Sequence, residues 1–418
     1  MPAGNRLTKW ILIALLLGLG AGFALNRLGG DVSAWTGPLG LLTTVFLRLI
    51  KMVIAPLVFA TLAVGIAKVG DVATVGRIGL KAFGWFVAAS LASLTLGLVL
   101  VNLLQPGVGI SIALPDAAAA SGVAPTGLTL QEFVTHLVPT SIVDGMARNE
   151  ILQIVVFSVF FGVACAGVGE KATALVDALE GLSYVMLKLT MLVMWFAPVA
   201  VFAAVTSAVA QSGFEVIAVY GRFMGEFYLG IALLWLLLFL AATAVIGLRA
   251  VALFRAVREP ALLAFATASS EAAYPKTLAQ LEQFGCSNRV ASFVLPLGYS
   301  FNLDGSMMYQ AFAALFIAQA FGIHMGFAEQ VSMLLVMMIA SKGIAGVPRA
   351  SLVVVAAVAP MFNLPAAGIL LIMGIDQILD MGRTLTNVLG NGLATAAVTK
   401  WQGEVDAEPE TDAALVAA

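Results

Sequence analysis

The sequence has little charge and almost no histidine. Of its 418 residues, 11% are Asp, Glu, Lys or Arg, and only two are His. Ordinary soluble domains carry about 25% charged residues, so the composition excludes a soluble enzyme or binding domain of this length. The net charge of −2 points to no class of charged partner, and no basic cluster indicates nucleic-acid binding.

Cysteine is equally scarce. Cys165 and Cys286 lie in or beside apolar segments without the spacing of a disulfide framework or a zinc site, and we expect both to be small buried residues. His136 and His324 are isolated near predicted helix ends or loops, and neither is expected to relay protons. No HExxH, GxSxG or His cluster occurs, so the sequence predicts no enzyme, no catalytic residue and no cofactor.

What the sequence has in abundance is apolar residues, at 61%. Apolar stretches of about 20 residues, enough to cross a bilayer, recur from Trp10 to the 390s. The sequence therefore predicts an all-α integral membrane protein. The first apolar run is expected to be a transmembrane helix and not a signal peptide, because many spans follow it. The helices predicted before residue 250 span 10–27, 38–67, 79–104, 149–169, 182–210 and 221–248.

The positions of Lys and Arg predict the orientation. If the chain crosses the membrane alternately, most of them fall on one side, which the positive-inside rule makes the cytoplasm. Both termini are then cytoplasmic, and the Ala/Pro/Gly-rich segment 105–148 is an extracellular loop, with Arg27 and Arg148 as exceptions. The residues on the cytoplasmic side are Arg6, Lys9, Lys68, Arg77, Lys81, Arg249, Arg255, Arg258 and Lys400.

From Glu259 onward, small and polar residues interrupt the apolar runs. Irregular backbone at membrane depth is tolerated only where protein covers it or water fills a cavity. Four interruptions in one third of the chain therefore predict a transport site built from broken helices and hairpins. They are TASSEAAYP (267–275), GYSFNLDGS (298–306), SKGIAGVPRAS (341–351) and GIDQILDMGRTLTNVLGNG (374–392).

Two interruptions, at 267–275 and 341–351, are predicted to be tips of re-entrant helical hairpins. Each lies midway in an apolar stretch of about 25–30 residues, which is long for one span and short for two. Serine hydroxyls and freed backbone amides at the first tip can hold a carboxylate. Gly343, Gly346 and Pro348 at the second tip permit the backbone rearrangement of a gate. An ordinary loop between short helices is the alternative for each.

The stretch 374–392 places charges inside the membrane. At about 100° per residue, Asp376, Asp380, Arg383, Asn387 and Asn391 share one helical stripe about 80° wide. A charge at the bilayer centre costs about 2.5–3.5 kcal/mol, so the stripe must face protein, water or a ligand. One interpretation is a structural ion pair. The other is a substrate site, in which the guanidinium captures a carboxylate and Asp380 an ammonium.

The interruption at 298–306 is predicted to be an unwound turn within a span. Asn302 and Asp304, followed by Gly305, can offer carbonyl and carboxylate oxygens to a hard cation such as sodium. A kink in which Asn and Asp bond to their own backbone is the alternative.

Together, these segments resemble a known family over nearly the whole chain. SFNLDGS (300–306) is similar to its Asn-Met-Asp-Gly-Thr signature, and DMGRTLTN (380–387) to its last-helix substrate motif. The family is the dicarboxylate/amino acid:cation symporters, which include prokaryotic glutamate and aspartate transporters and the excitatory amino acid transporters. The resemblance implies a homotrimer in the inner (plasma) membrane, whose protomers have eight transmembrane helices and two opposed re-entrant hairpins and work as elevators.

The resemblance also implies a division of the chain into scaffold and transport parts. Scaffold helices 1 and 2 fall in 1–78, transport helix 3 in 79–104, and scaffold helices 4 and 5 with transport helix 6 in 105–248. The transport core is 256–400, followed by a cytoplasmic tail at 401–418. The core comprises hairpin 1 (256–283), broken helix 7 (288–322), hairpin 2 (330–360) and helix 8 (363–400).

Carried over residue by residue, the resemblance implies roles for two sets of residues. Arg383 would bind the side-chain carboxylate of the substrate, and Asp380 its amino group. The other substrate contacts would be Ser269, Ser270, Ser306, Thr384 and Asn387, with the carbonyl of Val347 from hairpin 2. The ligands of coupling sodium ions would be Ser90, Gly298, Ser300, Asn302, Asp304, Asn387 and Asn391.

The resemblance favours an acidic amino acid as substrate. Family members for neutral amino acids lack the arginine at Arg383, and the C4-dicarboxylate branch keeps it but lacks the aspartate at Asp380. This chain has both, so glutamate or aspartate is expected. Malate, succinate or fumarate stays the alternative, because GYSFNLDGS and LGNG also resemble dicarboxylate carriers.

The coupling ion can be sodium, a proton or both. Asn391 and Ala89 stand where sodium-coupled members have an aspartate and a threonine, which implies fewer or weaker sodium sites. Gln310 stands where vertebrate relatives carry a proton on a glutamate. A coupling proton would therefore need Glu271 or Asp376.

Overall fold

The fold is that of a computed structural model, which describes residues 3–28, 33–69, 72–109, 135, 138–341, 350–365, 367–373 and 375–403. All regular secondary structure in these residues is helical. Short 3-10 helices lie at Gly169–Ala172 and Ala359–Phe362. The α-helices are α1 (Ala3–Leu28), α2 (Ser33–Val69), α3 (Val72–Leu104), α4 (Ile142–Ala147), α5 (Ile151–Val168), α6 (Thr173–Met194), α7 (Ala197–Ile246), α8 (Arg249–Thr267), α9 (Ser270–Phe284), α10 (Asn288–Phe301), α11 (Asp304–Ala320), α12 (Phe327–Ala340), α13 (Ala350–Val358), α14 (Gly368–Met373) and α15 (Asp376–Trp401).

Several helical segments are long and apolar enough to cross a membrane. Within the described ranges there are four such segments, and shorter apolar helices accompany them. The predicted all-helical chain with several membrane spans is thereby confirmed. The four segments are Lys9–Leu28, Thr74–Leu104, Ile151–Met194 and Tyr220–Ile246; the shorter helices are Met52–Ala67, Ala197–Gln211, Phe327–Ala340 and Ser351–Phe362.

One pair of predicted helices differs from the structure. The sequence predicts helices at 182–210 and 221–248, whereas the chain leaves the helix at Trp195 and Phe196 and then forms α7 without interruption. Pro198 lies in the first turn of α7, where its missing N–H would have no intrahelical partner anyway. The sequence from 211 to 220 contains no proline, so nothing there removes a helical hydrogen bond.

The backbone does leave the helix in the C-terminal third. Ala268, in the left-handed region with φ 48°, separates α8 from α9, and Asn302 and Leu303 separate α10 from α11. The stretch 374–392 differs from this pattern, because α15 runs unbroken from Asp376. The tip at 342–349, with Gly343, Gly346 and Pro348, lies outside the described residues.

The helix α15 lies at the centre of the C-terminal third, where it packs against α7, α8, α10 and α11. Its residues from Gly382 to Thr399 are all buried. The polar stripe therefore faces protein and not lipid. By contrast, α1 lies along α7, and α2 packs against α5, α6 and α7.

The two cysteines are buried thiols without a disulfide, as predicted. Cys286 lies in the turn between α9 and α10, and burial raises the pKa of its thiol to about 12. This thiol is therefore protonated, and unreactive as a nucleophile, at neutral pH.

A glycine allows α5 to approach α2 closely. A Cβ at Gly162 would lie 2.7 Å from the Cβ of Ile66 and 2.8 Å from the carbonyl oxygen of Ala63. Small residues at helix contacts permit this kind of backbone approach in membrane proteins. Gly167 of the same helix is exposed, and a Cβ added there would meet no atom within 4 Å.

We expect Gly162→Ala to lower thermal stability, because overpacking costs about 1–3 kcal/mol. Gly167→Ala is the matched control, and its midpoint should stay unchanged or rise slightly because alanine favours helix. The measurement is the thermal unfolding midpoint of each purified variant in detergent. Equal midpoints for the two variants would contradict the close approach of α5 to α2.

Candidate functional site

The site begins at the joint between α10 and α11. Asn302 and Asp304 are completely buried there, and the Asn302 side-chain amide donates to Asp304 Oδ2 at 3.3 Å. The backbone N–H of Asn302 still closes the last turn of α10 by donating to the carbonyl of Gly298 at 2.8 Å. The unwound turn predicted from the sequence is therefore present, and it is held inside the protein.

Asn387 of α15 fastens this joint. Its Oδ1 accepts the backbone N–H of Gly305 at 2.9 Å and that of Ser306 at 3.3 Å. Its Nδ2 donates to the hydroxyl of Ser306 at 3.1 Å. One carboxamide thus satisfies two of the N–H groups that the first turn of α11 leaves without an intrahelical acceptor.

Glycines let the joint and α15 meet at atomic contact. A Cβ at Gly390 would overlap the Asp304 carboxylate, and one at Gly298 would overlap the side-chain amide of Asn391. The predicted cation ligands Gly298, Asn302, Asp304 and Asn391 therefore lie together between α10, α11 and α15.

The oxygens at this place suit a hard cation. Asn302 Oδ1, Asn391 Oδ1 and the hydroxyl of Ser300 are buried and accept no hydrogen bond from the described residues. Each such group costs about 1–3 kcal/mol unless something satisfies it, and sodium prefers oxygen ligands. The Ser90 hydroxyl is also buried without a partner among these residues, on α3, which packs against α10, α11 and α15.

A second group of polar side chains surrounds Arg383. Its Nη2 forms an ion pair with Asp380 Oδ1, and its Nη1 donates to the hydroxyls of Ser306 at 3.2 Å and Ser351 at 3.0 Å. The side chains of Arg383 and Asp380 are only 11% and 8% exposed. The ion pair predicted as one interpretation is therefore present.

That pair does not use all of the local hydrogen-bonding capacity. Arg383 Nε and the hydroxyl of Thr384 are buried and have no partner among the described residues. A buried hydrogen-bond donor without an acceptor costs free energy. A ligand with carboxylate oxygens would therefore stabilise the polar side chains around Arg383. Ser306 joins the two groups, since its hydroxyl accepts from both Arg383 and Asn387.

The remaining predicted residues lie apart from these two groups or outside the described residues. Ser269 and Ser270 are half-buried where α9 starts, and the Ser269 hydroxyl accepts the N–H of Ala272 at 3.3 Å, so it caps that helix. Val347 lies outside the described residues. Asp376 accepts a hydrogen bond from the hydroxyl of Tyr309 at 2.5 Å.

The sequence reasoning missed several residues that hold α15. Ser351 accepts a hydrogen bond from Arg383, the hydroxyl of Tyr228 donates to the carbonyl of Ile378 at 2.6 Å, and Trp235 Nε1 donates to Thr386 Oγ1 at 2.8 Å. Tyr228 and Trp235 are seven residues apart, which puts them on one face of α7. The sequence did contain a signal for these contacts: two aromatic side chains with polar ends lie on one face of an apolar helix, and such polar ends usually find a hydrogen-bond partner when buried.

Comparisons with known proteins agree on one family. The model of the Sodium:dicarboxylate symporter family matches residues 7–401. The C4-dicarboxylate transport protein of Agrobacterium fabrum is 39% identical over 97% of this chain and 90% of its own. The Proton/glutamate-aspartate symporter of Bacillus subtilis is 36% identical over 94% and 95%, and the Proton/sodium-glutamate symport protein of Geobacillus stearothermophilus is 36% identical over 95% and 95%.

We expect Asn387→Ala to destabilise the protein much more than Asn391→Ala, one turn further along α15. The first variant strands buried N–H groups of α11, at about 1–3 kcal/mol each. The second removes an amide whose polar atoms have no partner among the described residues. Thermal unfolding midpoints in sodium-free buffer measure the difference, and equal losses would refute the fastening role of Asn387.

Proposed function

The chain belongs to the sodium:dicarboxylate symporter family, and we propose that it takes up glutamate or aspartate together with a coupling cation. It is a multi-pass membrane protein and a cation-coupled symporter, not an enzyme. The relatives' names divide between C4-dicarboxylates and acidic amino acids at nearly equal identity. The choice between these substrates therefore depends on the site.

The observation that carries the proposal is the ion pair between the buried side chains of Asp380 and Arg383. An acidic amino acid brings two carboxylates and one ammonium. When Arg383 takes one carboxylate, Asp380 loses its partner and can take the ammonium, so these two substrate charges each meet an opposite one, and the second carboxylate is left to neutral hydrogen-bond donors. The hydroxyls of Ser306 and Thr384 and the tip serines Ser269 and Ser270 are the proposed contacts of the other polar atoms.

A C4-dicarboxylate is the second candidate, supported by relatives of that name at 39% and 40% identity. Such a substrate has no cation to offer Asp380. Its second carboxylate would meet a buried carboxylate of like charge, which is unfavourable in a medium of low dielectric constant. Asp380 therefore weighs against this candidate.

The proposed architecture has eight membrane spans, two hairpins formed by α8–α9 and α12–α13, an elevator motion and a homotrimer. The pairing of α8 with α9 and of α12 with α13 supports the hairpins. Lys81 Nζ donates to the backbone carbonyl of Trp401 at 2.6 Å. This contact supports the placement of Lys81 and Trp401 on the same side of the membrane. The distribution of Lys and Arg supports the proposal that this side, and both termini, are cytoplasmic.

The test is uptake of radiolabelled glutamate, aspartate and succinate into liposomes that contain the purified protein. Sodium and proton gradients are imposed separately. Accumulation above equilibrium, driven by a gradient and competed by aspartate, is the expected result. Preferential accumulation of succinate would replace the proposal by the second candidate.

We expect Arg383→Ala to lower kcat/KM for glutamate and aspartate by at least about 100-fold, because a buried carboxylate would lose its cation. Neutral amino acids would be tolerated better. Arg148→Ala is the matched control, since Arg148 also pairs with an aspartate, Asp144, but is 70% exposed. If Arg383→Ala took up glutamate at the wild-type rate, the proposed role of Arg383 in substrate binding would be refuted.

We expect Asp380→Ser to raise the preference for succinate over aspartate by at least about tenfold, because the partner of the ammonium is lost while Arg383 remains. Asp144→Ser, at the exposed pair, serves as the control. The ratio of the two uptake rates is the measurement. An unchanged ratio would favour the dicarboxylate.

A further inference from the structure

A cavity lies between α2 and the short helix α4. Its volume is about 460 Å³. Two polar side chains line it, Arg48 of α2 and Asn149, which follows the end of α4. The apolar part of the lining includes Met52, Pro56 and Met146. The cavity therefore combines a positive charge and a carboxamide with a hydrocarbon-like surface.

The contribution of α2 to the cavity comes from one face of that helix. Arg48, Met52 and Ala55 all line the cavity, and their spacing of four and then three residues places them one above the other. Arg48 is exposed, and the apolar side chains lie one and two turns further along the helix. The cavity therefore has a polar end and an apolar end.

The polar end lies at the edge of the hydrocarbon layer. Arg48 precedes the apolar helical segment Met52–Ala67, and Asn149 precedes the candidate membrane-spanning segment that starts at Ile151. Arg48 and Lys68 are 20 residues apart on α2. At about 1.5 Å per residue this separation is about 30 Å, the thickness of the hydrocarbon core. Arg48 is therefore placed at the depth of the lipid headgroups, on the membrane side opposite to Lys68.

Asn149 offers a hydrogen-bond acceptor at this end. Its backbone has φ 54°, in the left-handed region that Asn adopts more readily than most residues. The backbone N–H donates to the carbonyl of Met146 at 3.1 Å. The side-chain Oδ1 is buried and accepts no hydrogen bond from the described residues. Because a buried acceptor without a donor costs free energy, a ligand with an N–H or O–H group would be stabilised there.

We propose that this cavity binds a membrane phospholipid whose headgroup carries a hydrogen-bond donor, namely phosphatidylethanolamine. The lipid phosphate pairs with the guanidinium of Arg48, whose planar fork suits phosphate oxygens. The ammonium of the headgroup donates to Asn149 Oδ1. An acyl chain lies along Met52 and Met146, whose flexible side chains adapt to irregular apolar ligands.

Other occupants match fewer features of the cavity. A free phosphate ion would pair with Arg48 but would leave the apolar end exposed to water. Phosphatidylcholine has the same phosphate, but its quaternary ammonium has no N–H to donate to Asn149. A second copy of the chain would bring apolar side chains from this region, such as the exposed Leu42 and Val45, and these cannot pair with a guanidinium.

The first test compares two lipids that differ only in the headgroup. Purified protein is stripped of lipid in detergent, and its thermal unfolding midpoint is measured with phosphatidylethanolamine or phosphatidylcholine of identical acyl chains. We expect the first lipid to raise the midpoint by at least about 3 °C and the second by less than about 1 °C, because only a ligand that binds the folded state stabilises it. Equal shifts for the two lipids, or no shift for either, would overturn the proposal.

The second test assigns the binding to the two polar residues, with affinities measured by native mass spectrometry. Arg48→Ala should weaken phosphatidylethanolamine binding at least about tenfold, because the phosphate loses its cation. Arg148→Ala is the matched control, since Arg148 is close in the chain to Asn149 but is 70% exposed and pairs with Asp144 at 3.0 Å. Unchanged affinity in Arg48→Ala would refute the site.

Asn149→Gly removes the carboxamide and keeps a residue that adopts positive φ without strain. This variant should bind phosphatidylethanolamine and phosphatidylcholine with equal affinity, because the acceptor that distinguishes the two headgroups is lost. A retained preference for phosphatidylethanolamine would refute the role of Asn149 and with it the proposed choice of headgroup.

Two further results would assign the cavity to another occupant. Ala147 is exposed and lines the cavity, so Ala147→Trp should fill the cavity and abolish lipid binding. If this variant dissociates an oligomer and leaves the lipid affinity unchanged, the cavity is a contact between copies of the chain and the proposal is wrong. The proposal is also wrong if inorganic phosphate alone raises the unfolding midpoint as much as the lipid does.

Discussion

The burial of charge along α15 is the constraint on which the rest of the C-terminal structure depends. Because water is excluded there, each charged or polar group needs a partner supplied by protein or ligand. Arg383 is held by Asp380, Ser306 and Ser351, and Asn387 bonds to the first turn of α11. The unwound joint, the glycines that face it and the aromatic donors of α7 are all arranged around this one helix.

The chemistry of this helix could be predicted from the sequence because it follows from local periodicity. The 3.6-residue repeat puts Asp376, Asp380 and Arg383 on one stripe, and the cost of charge in lipid requires that stripe to face inward. The unwound joint was also predictable, since Asn, Asp and Gly occur together inside an apolar run. Both features depend on residues that are close in the chain.

Features that depend on distant residues were not predictable in the same way. The contact between Ser351 and Arg383 depends on how α13 packs against its neighbours. The position of Ser351 in the sequence does not specify this contact. The break after α6, by contrast, is followed by Pro198 in the first turn of α7; this proline was an available signal, and the prediction of a single helix over 182–210 did not use it. Identity to relatives does not resolve substrate either, because a few side chains decide it among some 400 positions.

The shared hydroxyl of Ser306 has a thermodynamic consequence. It accepts hydrogen bonds from Arg383, the proposed substrate ligand, and from Asn387, which fixes the joint that holds Asp304. In the proposed symport, an ion that orders the joint would therefore also order the group proposed to receive the substrate. By linkage, the factor by which the ion raises the affinity for substrate is the factor by which the substrate raises the affinity for the ion. Cooperativity between the two ligands can thus arise within one rigid unit, without a separate relay between distant sites.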